Sequence, residues 1–141
     1  MKIKILVICT GNSCRSQMAE AYLRYFSKLK NINAKIFSAG LEAHGVNPKV
    51  IEILKEDSLD ISQHTSNKID EYLNVGITHV LTVCDHANEH CPIFPQKVVG
   101  THNNFSDPTK VKGTAKTINQ AFNNTRDEIK AYCEKFLTHN F

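Results

Sequence analysis

A doubly wound, three-layer α/β sandwich around a central parallel sheet of four strands is the architecture this 141-residue sequence predicts. Three observations predict it. Strand-like runs alternate with amphipathic helical periods along the chain, the signature of right-handed βαβ units. The first run becomes continuously apolar from Ile5 to Cys9, as a strand buried on both faces must. No repeat, low-complexity segment or linker interrupts the alternation, and the length suits one domain over residues 1–141 that buries roughly two-thirds of its unfolded surface.

The elements follow in order. Residues 1–9 read as the first strand, and Thr10-Gly11-Asn12-Ser13 supplies turn chemistry after it. From Arg15 to Lys30, Met18, Ala21/Tyr22, Tyr25/Phe26 and Leu29 recur at helical spacing. Ala34 to Ser38 is a second strand, stopped by Ala39-Gly40. Asn47-Pro48 opens a helix, with Asn47 as N-cap, Pro48 in the first helical position, and Val50, Ile53 and Leu54 on its core face. A polar stretch (Ser62, Thr65, Ser66, Asn67) precedes a short helix through Ile69, Tyr72 and Leu73. Thr78 to Cys84 is a third strand and Lys97 to Gly100 a weaker fourth. The last helix is expected to begin near Thr117, whose spacing to Gln120 fits a capping box, with Ile118, Phe122, Ile129, Tyr132/Cys133 and Phe136 on one face.

Composition excludes several function classes. Seventeen Lys and Arg against 14 Asp and Glu leave a net charge of +3, short of the basic clustering that marks nucleic-acid binders. The longest strongly apolar run is five residues, where a membrane span needs ~20. That run is also too short for the ~7–15-residue core of a signal peptide, so the protein is expected in the cytoplasm. Five cysteines, an odd number in a chain of this size, cannot form a complete disulfide framework. In a reducing compartment they are packing residues, metal ligands or reactive thiols.

Cys9-Thr10-Gly11-Asn12-Ser13-Cys14-Arg15-Ser16 carries the chemistry. A turn-rich loop between a strand end and a helix start gathers backbone N–H groups around an anion, and the helix dipole adds positive charge. Thr10 to Arg15 are therefore the expected oxyanion-binding residues, and the Arg15 fork suits two oxyanion oxygens. The same field lowers the pKa of Cys9 and makes it a nucleophile, with Ser16 placed to donate to its thiolate. The segment lacks the Gly-Lys-Ser/Thr ending of a nucleotide P-loop, and no Gly-x-Gly-x-x-Gly occurs. Cys84, His86, His90 and Cys91 offer soft ligands, but without the longer insert that separates the halves of a structural zinc site.

The Cys-x5-Arg-Ser loop after the first strand, together with Asp107-Pro108, resembles the low-molecular-weight phosphotyrosine phosphatase superfamily. The closer resemblance is to the thioredoxin-coupled arsenate reductases of that fold. It is carried by residues 8–20, Ser38-Ala39-Gly40, His44-Gly45-Val46-Asn47-Pro48, Asp60-Ile61-Ser62, His64-Thr65-Ser66, Cys84 and Cys91-Pro92. It implies that Cys9 attacks arsenate while Asp107 protonates the departing oxygen. Cys84 then attacks Cys9, releasing arsenite and leaving a Cys9–Cys84 disulfide. Cys91 next moves the bond to Cys84–Cys91, which thioredoxin reduces. Some relatives bind potassium, at positions matching Asn12, Glu20, Ser38, Thr65 and Asn67; Asn67 stands where they have an acid. No tightly bound cofactor is implied, and the enzyme is expected to be a monomer.

Two departures stand out. The reductases' Trp-Gly-Phe run before the acid is His102-Asn103-Asn104-Phe105-Ser106 here, and Thr109 replaces a tyrosine with which many phosphotyrosine phosphatases wall their substrate. Two rival readings stay open: a phosphatase using only Cys9, Arg15 and Asp107, and a non-catalytic anion- or metal-responsive binder in which Cys84 and Cys91 hold a soft ion.

Overall fold

A computed structural model describes residues 2–141. Met1, assigned to the first strand by its sequence, lies outside the described residues. Four strands form one sheet: β1 (Ile3–Cys9), β2 (Ala34–Gly40), β3 (His79–Thr82) and β4 (Val99–His102). Their order is β2-β1-β3-β4 and every pairing is parallel. The helices are α1 (Arg15–Leu29), α2 (Pro48–Glu56), α3 (Asp85–Glu89) and α4 (Ala115–Asn140), with 3-10 turns at Ile69–Tyr72 and Pro108–Lys110.

The continuous apolar run explains the centre of the sheet. Ile5, Leu6, Val7 and Ile8 are all fully buried, because β1 has a strand on each side and helices above and below. Each such side chain stabilises the fold by roughly 1.5–3 kcal/mol relative to exposure. Met18, Tyr22 and Leu23 of α1 and Ile129, Cys133 and Leu137 of α4 complete the core, where the two helices pack together. None of the helices among the described residues is long and apolar enough to cross a membrane.

The chain runs from β1 outward to β2, then returns across β1 to place β3 on its other side. The crevice between the C-terminal ends of β1 and β3 is therefore the switch point at which sheets of this kind bind ligands. Register fixes what meets there. Ile8 pairs with Thr82, so two residues further on Thr10 stands level with Cys84.

Four boundaries differ from the sequence reading. β2 continues through Ala39-Gly40, because Gly40 pairs with Cys9 and its amide donates to the Asn67 carbonyl at 2.8 Å. β3 ends at Thr82, and β4 is shifted to residues 99–102. α4 begins at Ala115: Thr114 is its N-cap, accepting from the Thr117 amide, while Gln120 bonds Asn124 and closes no capping box. The polar segment after Cys84, read as a loop, contains the five-residue helix α3.

Gly40 has a steric reason to be glycine. A Cβ there would lie 2.7 Å from the Asn12 nitrogen and from the Thr10 carbonyl oxygen. The end of β2 thus runs directly beneath the Cys9–Arg15 loop, and backbone atoms cannot yield as a flexible side chain would. Gly40→Ala should lower stability by about 1–3 kcal/mol through this overpacking and should weaken phosphate binding, because the loop is what must move. Urea unfolding and phosphate titration on the purified variant check both.

Candidate active site

The loop from Cys9 to Arg15 joins the end of β1 to the first turn of α1, and the pocket it encloses measures about 300 Å³. Cys9, Thr10, Gly11, Ser13, Cys14 and Arg15 line it, joined by Asp107. The α1 N-cap, Cys14, makes no side-chain capping bond, which leaves the start of the helix open to an anion.

Asn12 and Ser16 differ in role from the lining residues. Asn12 is buried, holds a left-handed φ of 48° that asparagine tolerates, and does not line the pocket. Its Nδ2 donates to Ser16 Oγ at 2.8 Å and to Ser38 Oγ at 2.9 Å, and its Oδ1 accepts from the Asn67 amide at 2.8 Å. Its carbonyl accepts from Gln17 Nε2 at 3.0 Å and Ser66 Oγ at 2.9 Å. Asn12 thus braces the loop from behind. Ser66 and Gln17 belong to that brace, and sequence reasoning had no signal for their contacts.

Cys9 is buried, yet its pKa lies well below the ordinary thiol value. A hydrogen bond from the Cys84 thiol lowers it most; burial opposes, and the Arg15 charge and hydrogen bonds from Ser16 lower it further. Cys84 is correspondingly raised, because it keeps its proton in order to donate to Cys9 and is itself desolvated. Its Sγ also lies 3.3 Å from Thr10 Oγ1. Cys14 is pushed up to about 11, chiefly by burial. Burial likewise raises Cys133, which is fully enclosed in the core, and Cys91.

Arg15 ties two loops together. Its Nη1 donates to the Phe105 carbonyl at 2.9 Å, and its Nη2 lies 3.6 Å from the Asp107 carboxylate. Asp107 Oδ1 accepts from the Thr109 amide at 3.0 Å and from Thr109 Oγ1 at 2.6 Å. The threonine that stands in place of the aromatic wall therefore orients the acid. His44 was also missed as a lining residue: its ring covers Gly11 at the pocket mouth, and its Nε2 is 3.0 Å from Glu42.

Cys84 and Cys91 open in different directions. Cys84 faces a cleft shared with Thr10, Arg15, Asn104 and Asp107. Cys91 lines a second, largely apolar cleft of about 460 Å³ with Val80, Phe94 and Val98. The zinc grouping of Cys84, His86, His90 and Cys91 is thereby divided. Among the described residues, no three His, Cys, Asp or Glu side chains stand together as a metal set.

The residues matched to a potassium site do not fit a resident cation. Glu20, the one carboxylate, is already neutralised by Arg24 Nη2 at 2.8 Å, with His64 Nε2 at 3.7 Å. Ser38 Oγ donates to Glu20, and the Asn12 oxygen is taken by the Asn67 amide. Thr65 Oγ1 donates to Asn67 Oδ1 at 2.6 Å. With an amide in place of the second acid, protein donors already engage these oxygens.

Fold and loop define the class first. The family model described as low molecular weight phosphotyrosine protein phosphatase matches residues 4–140. Within that class, the chain is 45% identical over 137 residues to arsenate reductase 2 of Staphylococcus epidermidis, covering 97% of this chain and 98% of that protein. It is 44% identical over 135 residues to an arsenate reductase of Staphylococcus aureus, covering 96% of each. The solved structure of an arsenate reductase in the phosphate-binding state superposes with a TM-score of 0.71 at 25% identity, over 99% of this chain and 98% of that one. The chain belongs to the arsenate reductases of the low-molecular-weight phosphotyrosine phosphatase family.

The electrostatics of Cys9 are directly measurable. At pH 6–7 iodoacetamide should modify Cys9 well before Cys14 or Cys133, and phosphate should protect it. The pH inflection of that reaction should lie well below the ordinary thiol value of 9.0. Cys84→Ala removes the largest lowering contribution and should move the inflection upward; mass-spectrometric rates across pH 4–10 check it.

Proposed function

We propose that the protein reduces arsenate to arsenite by a three-thiol relay recycled by thioredoxin. One observation carries this reading beyond the phosphatase chemistry of the wider family. A second thiol, Cys84, stands 3.3 Å from Thr10 of the Cys9 loop, in a cleft it shares with Arg15 and Asp107, where hydrolysis would need only water.

The Cys9 thiolate attacks arsenic, an S–As bond forms, and an oxygen leaves as water with a proton supplied by Asp107. Loop amides and the Arg15 fork hold the remaining oxygens. Cys84 then loses its proton and attacks Cys9 Sγ. As the S–S bond forms, the S–As electron pair stays on arsenic, which passes from As(V) to As(III) and departs as arsenite. Thr10 Oγ1 is placed to stabilise the Cys84 sulfur as it loses its proton. Cys91 next attacks Cys84 Sγ and Cys9 leaves as a thiolate. An external dithiol, thioredoxin in this reading, takes up the oxidising equivalents of the Cys84–Cys91 bond. The apolar cleft around Cys91, with Ile93 almost fully exposed beside it, suits contact with a partner protein.

The relay is read as the work of one cytoplasmic domain, residues 1–141, acting as a monomer. Cys9, Arg15 and Asp107 also suffice for slow hydrolysis of phosphate monoesters, so a residual phosphatase activity accompanies the reductase.

Cys91→Ser should release one arsenite per enzyme and then stall as a Cys9–Cys84 disulfide. Cys84→Ser should release none. Quenched-flow arsenite assays with peptide mapping check both, and multiple turnover of either variant with thioredoxin alone contradicts the relay. Arg15→Lys should lose roughly 10²–10³ in rate, the usual cost of removing an oxyanion-stabilising donor set, with the unfolding transition unchanged.

A further inference from the structure

We propose that His102 is a positioning residue that, through Asp85, holds Cys84 against Thr10 of the Cys9 loop, and that this hold is given up when Cys84 turns towards Cys91. The inference deepens the relay and rests on it for its consequence, though not for its geometry.

Cys84 is the N-cap of α3, and its side chain makes no capping bond. A five-residue helix has little stability of its own, so the placement of Cys84 must come from elsewhere. It comes from the end of β4 and the residues after it. The Asp85 amide, next to Cys84, donates to Asn104 Oδ1 at 3.0 Å, supplying across space the capping acceptor that Cys84 lacks. The Asp85 carboxylate accepts from His102 Nε2 at 2.7 Å. His102 Nδ1 in turn lies 2.7 Å from Thr82 Oγ1, at the end of β3, and Asn88 Oδ1 lies 3.2 Å from the same hydroxyl. Both ring nitrogens of His102 are thus engaged. One side meets the sheet and the other meets the first residue of α3, while Asn88 anchors the same helix from its other end.

This placement holds the relay in its first configuration. Cys84 opens into the cleft of Arg15 and Asp107, whereas Cys91 opens into the apolar cleft. A disulfide needs Cα atoms within ~4.4–6.8 Å, so passing the bond from Cys9 to Cys91 turns Cys84 away from the loop. The contacts opposing that turn are the approach of Cys84 Sγ to Thr10 Oγ1 and those of Asp85. Asp85 is 69% exposed at its side chain and His102 29%, so water replaces the lost bond readily and the hold is firm enough to position yet weak enough to release.

The test uses the full chain with His102→Ala, and His102→Gln, whose Nε2 retains a donor for Asp85. The first readout is the pH inflection of Cys9 alkylation by iodoacetamide, which reports how closely the Cys84 thiol approaches. The second is the single-turnover rate of arsenite release in the Cys91→Ser background. His102→Ala should move the inflection upward towards that of Cys84→Ala and slow arsenite release about fivefold to tenfold, the effect of one lost hydrogen bond. His102→Gln should restore most of both. An unmoved inflection and an undiminished burst in His102→Ala overturn the proposal. So does a Gln variant as impaired as the Ala variant, which would mark a merely structural role. If the parent releases no arsenite while His102→Ala still moves the inflection, the relay fails and the positioning of Cys84 stands.

Discussion

A negatively charged sulfur held out of water is the constraint around which this molecule is built. Cys9 is almost fully buried at the end of the central strand, and burial alone would raise its pKa. The thiolate persists because donors surround it: the Cys84 thiol, the Arg15 guanidinium, and the hydroxyl and amide of Ser16. Each donor needs its own support. Asn12 fixes Ser16 from behind, Ser38, Ser66 and Gln17 fix Asn12, and Gly40 lets β2 pass close beneath. The loop is rigid because its backbone is bonded on the side away from the pocket, leaving the pocket side free for an oxyanion.

The sheet order puts the second thiol within reach. With β1 and β3 adjacent and parallel, and Ile8 paired with Thr82, the residues that follow the two strands come together at the switch point. Thr10 and Cys84 are 74 positions apart in the chain and 3.3 Å apart in the fold. That approach places the Cys84 sulfur beside the Cys9 loop, where its thiol lowers the Cys9 pKa. Arg15 does double work, since its bond to the Phe105 carbonyl and its approach to Asp107 draw the acid segment over the pocket. The loss of the aromatic run before the acid is tolerable for that reason. Phe105 keeps its buried ring against Tyr132, and Asn104 and His102 take up polar duties towards α3.

How much was legible in advance depended on the range of the interaction. Continuous apolar residues mark a strand buried on both faces, three-to-four spacing marks α1 and α4, and Asn47-Pro48 marks the start of α2, whose Asn47 side chain does accept from the Lys49 amide at 2.8 Å. Cys-x5-Arg between such a strand and such a helix marked the loop that lines the pocket, because its residues are contiguous in the chain. Boundaries set by distant partners were misplaced. β2 runs on to Gly40 because Cys9 and Asn67 bond it, and α3 forms where a polar loop was expected because Asn104 caps it from another segment.

By itself the sequence predicted the class of sheet and singled out Cys9 with its loop, Asp107, and the pair Cys84 and Cys91 as the candidate site, since all of these reside in residue identity and short-range spacing. Only the tertiary structure decided that Cys84 meets Thr10 of the Cys9 loop while Cys91 faces another cleft, that Thr109 orients Asp107, and that Arg24 neutralises Glu20 where a cation was considered. The physical reason is that hydrogen bonds and charge compensation act over a few ångströms. The strand order that brings residues 74 positions apart to such distances is a property of the packed sheet, not of any one segment.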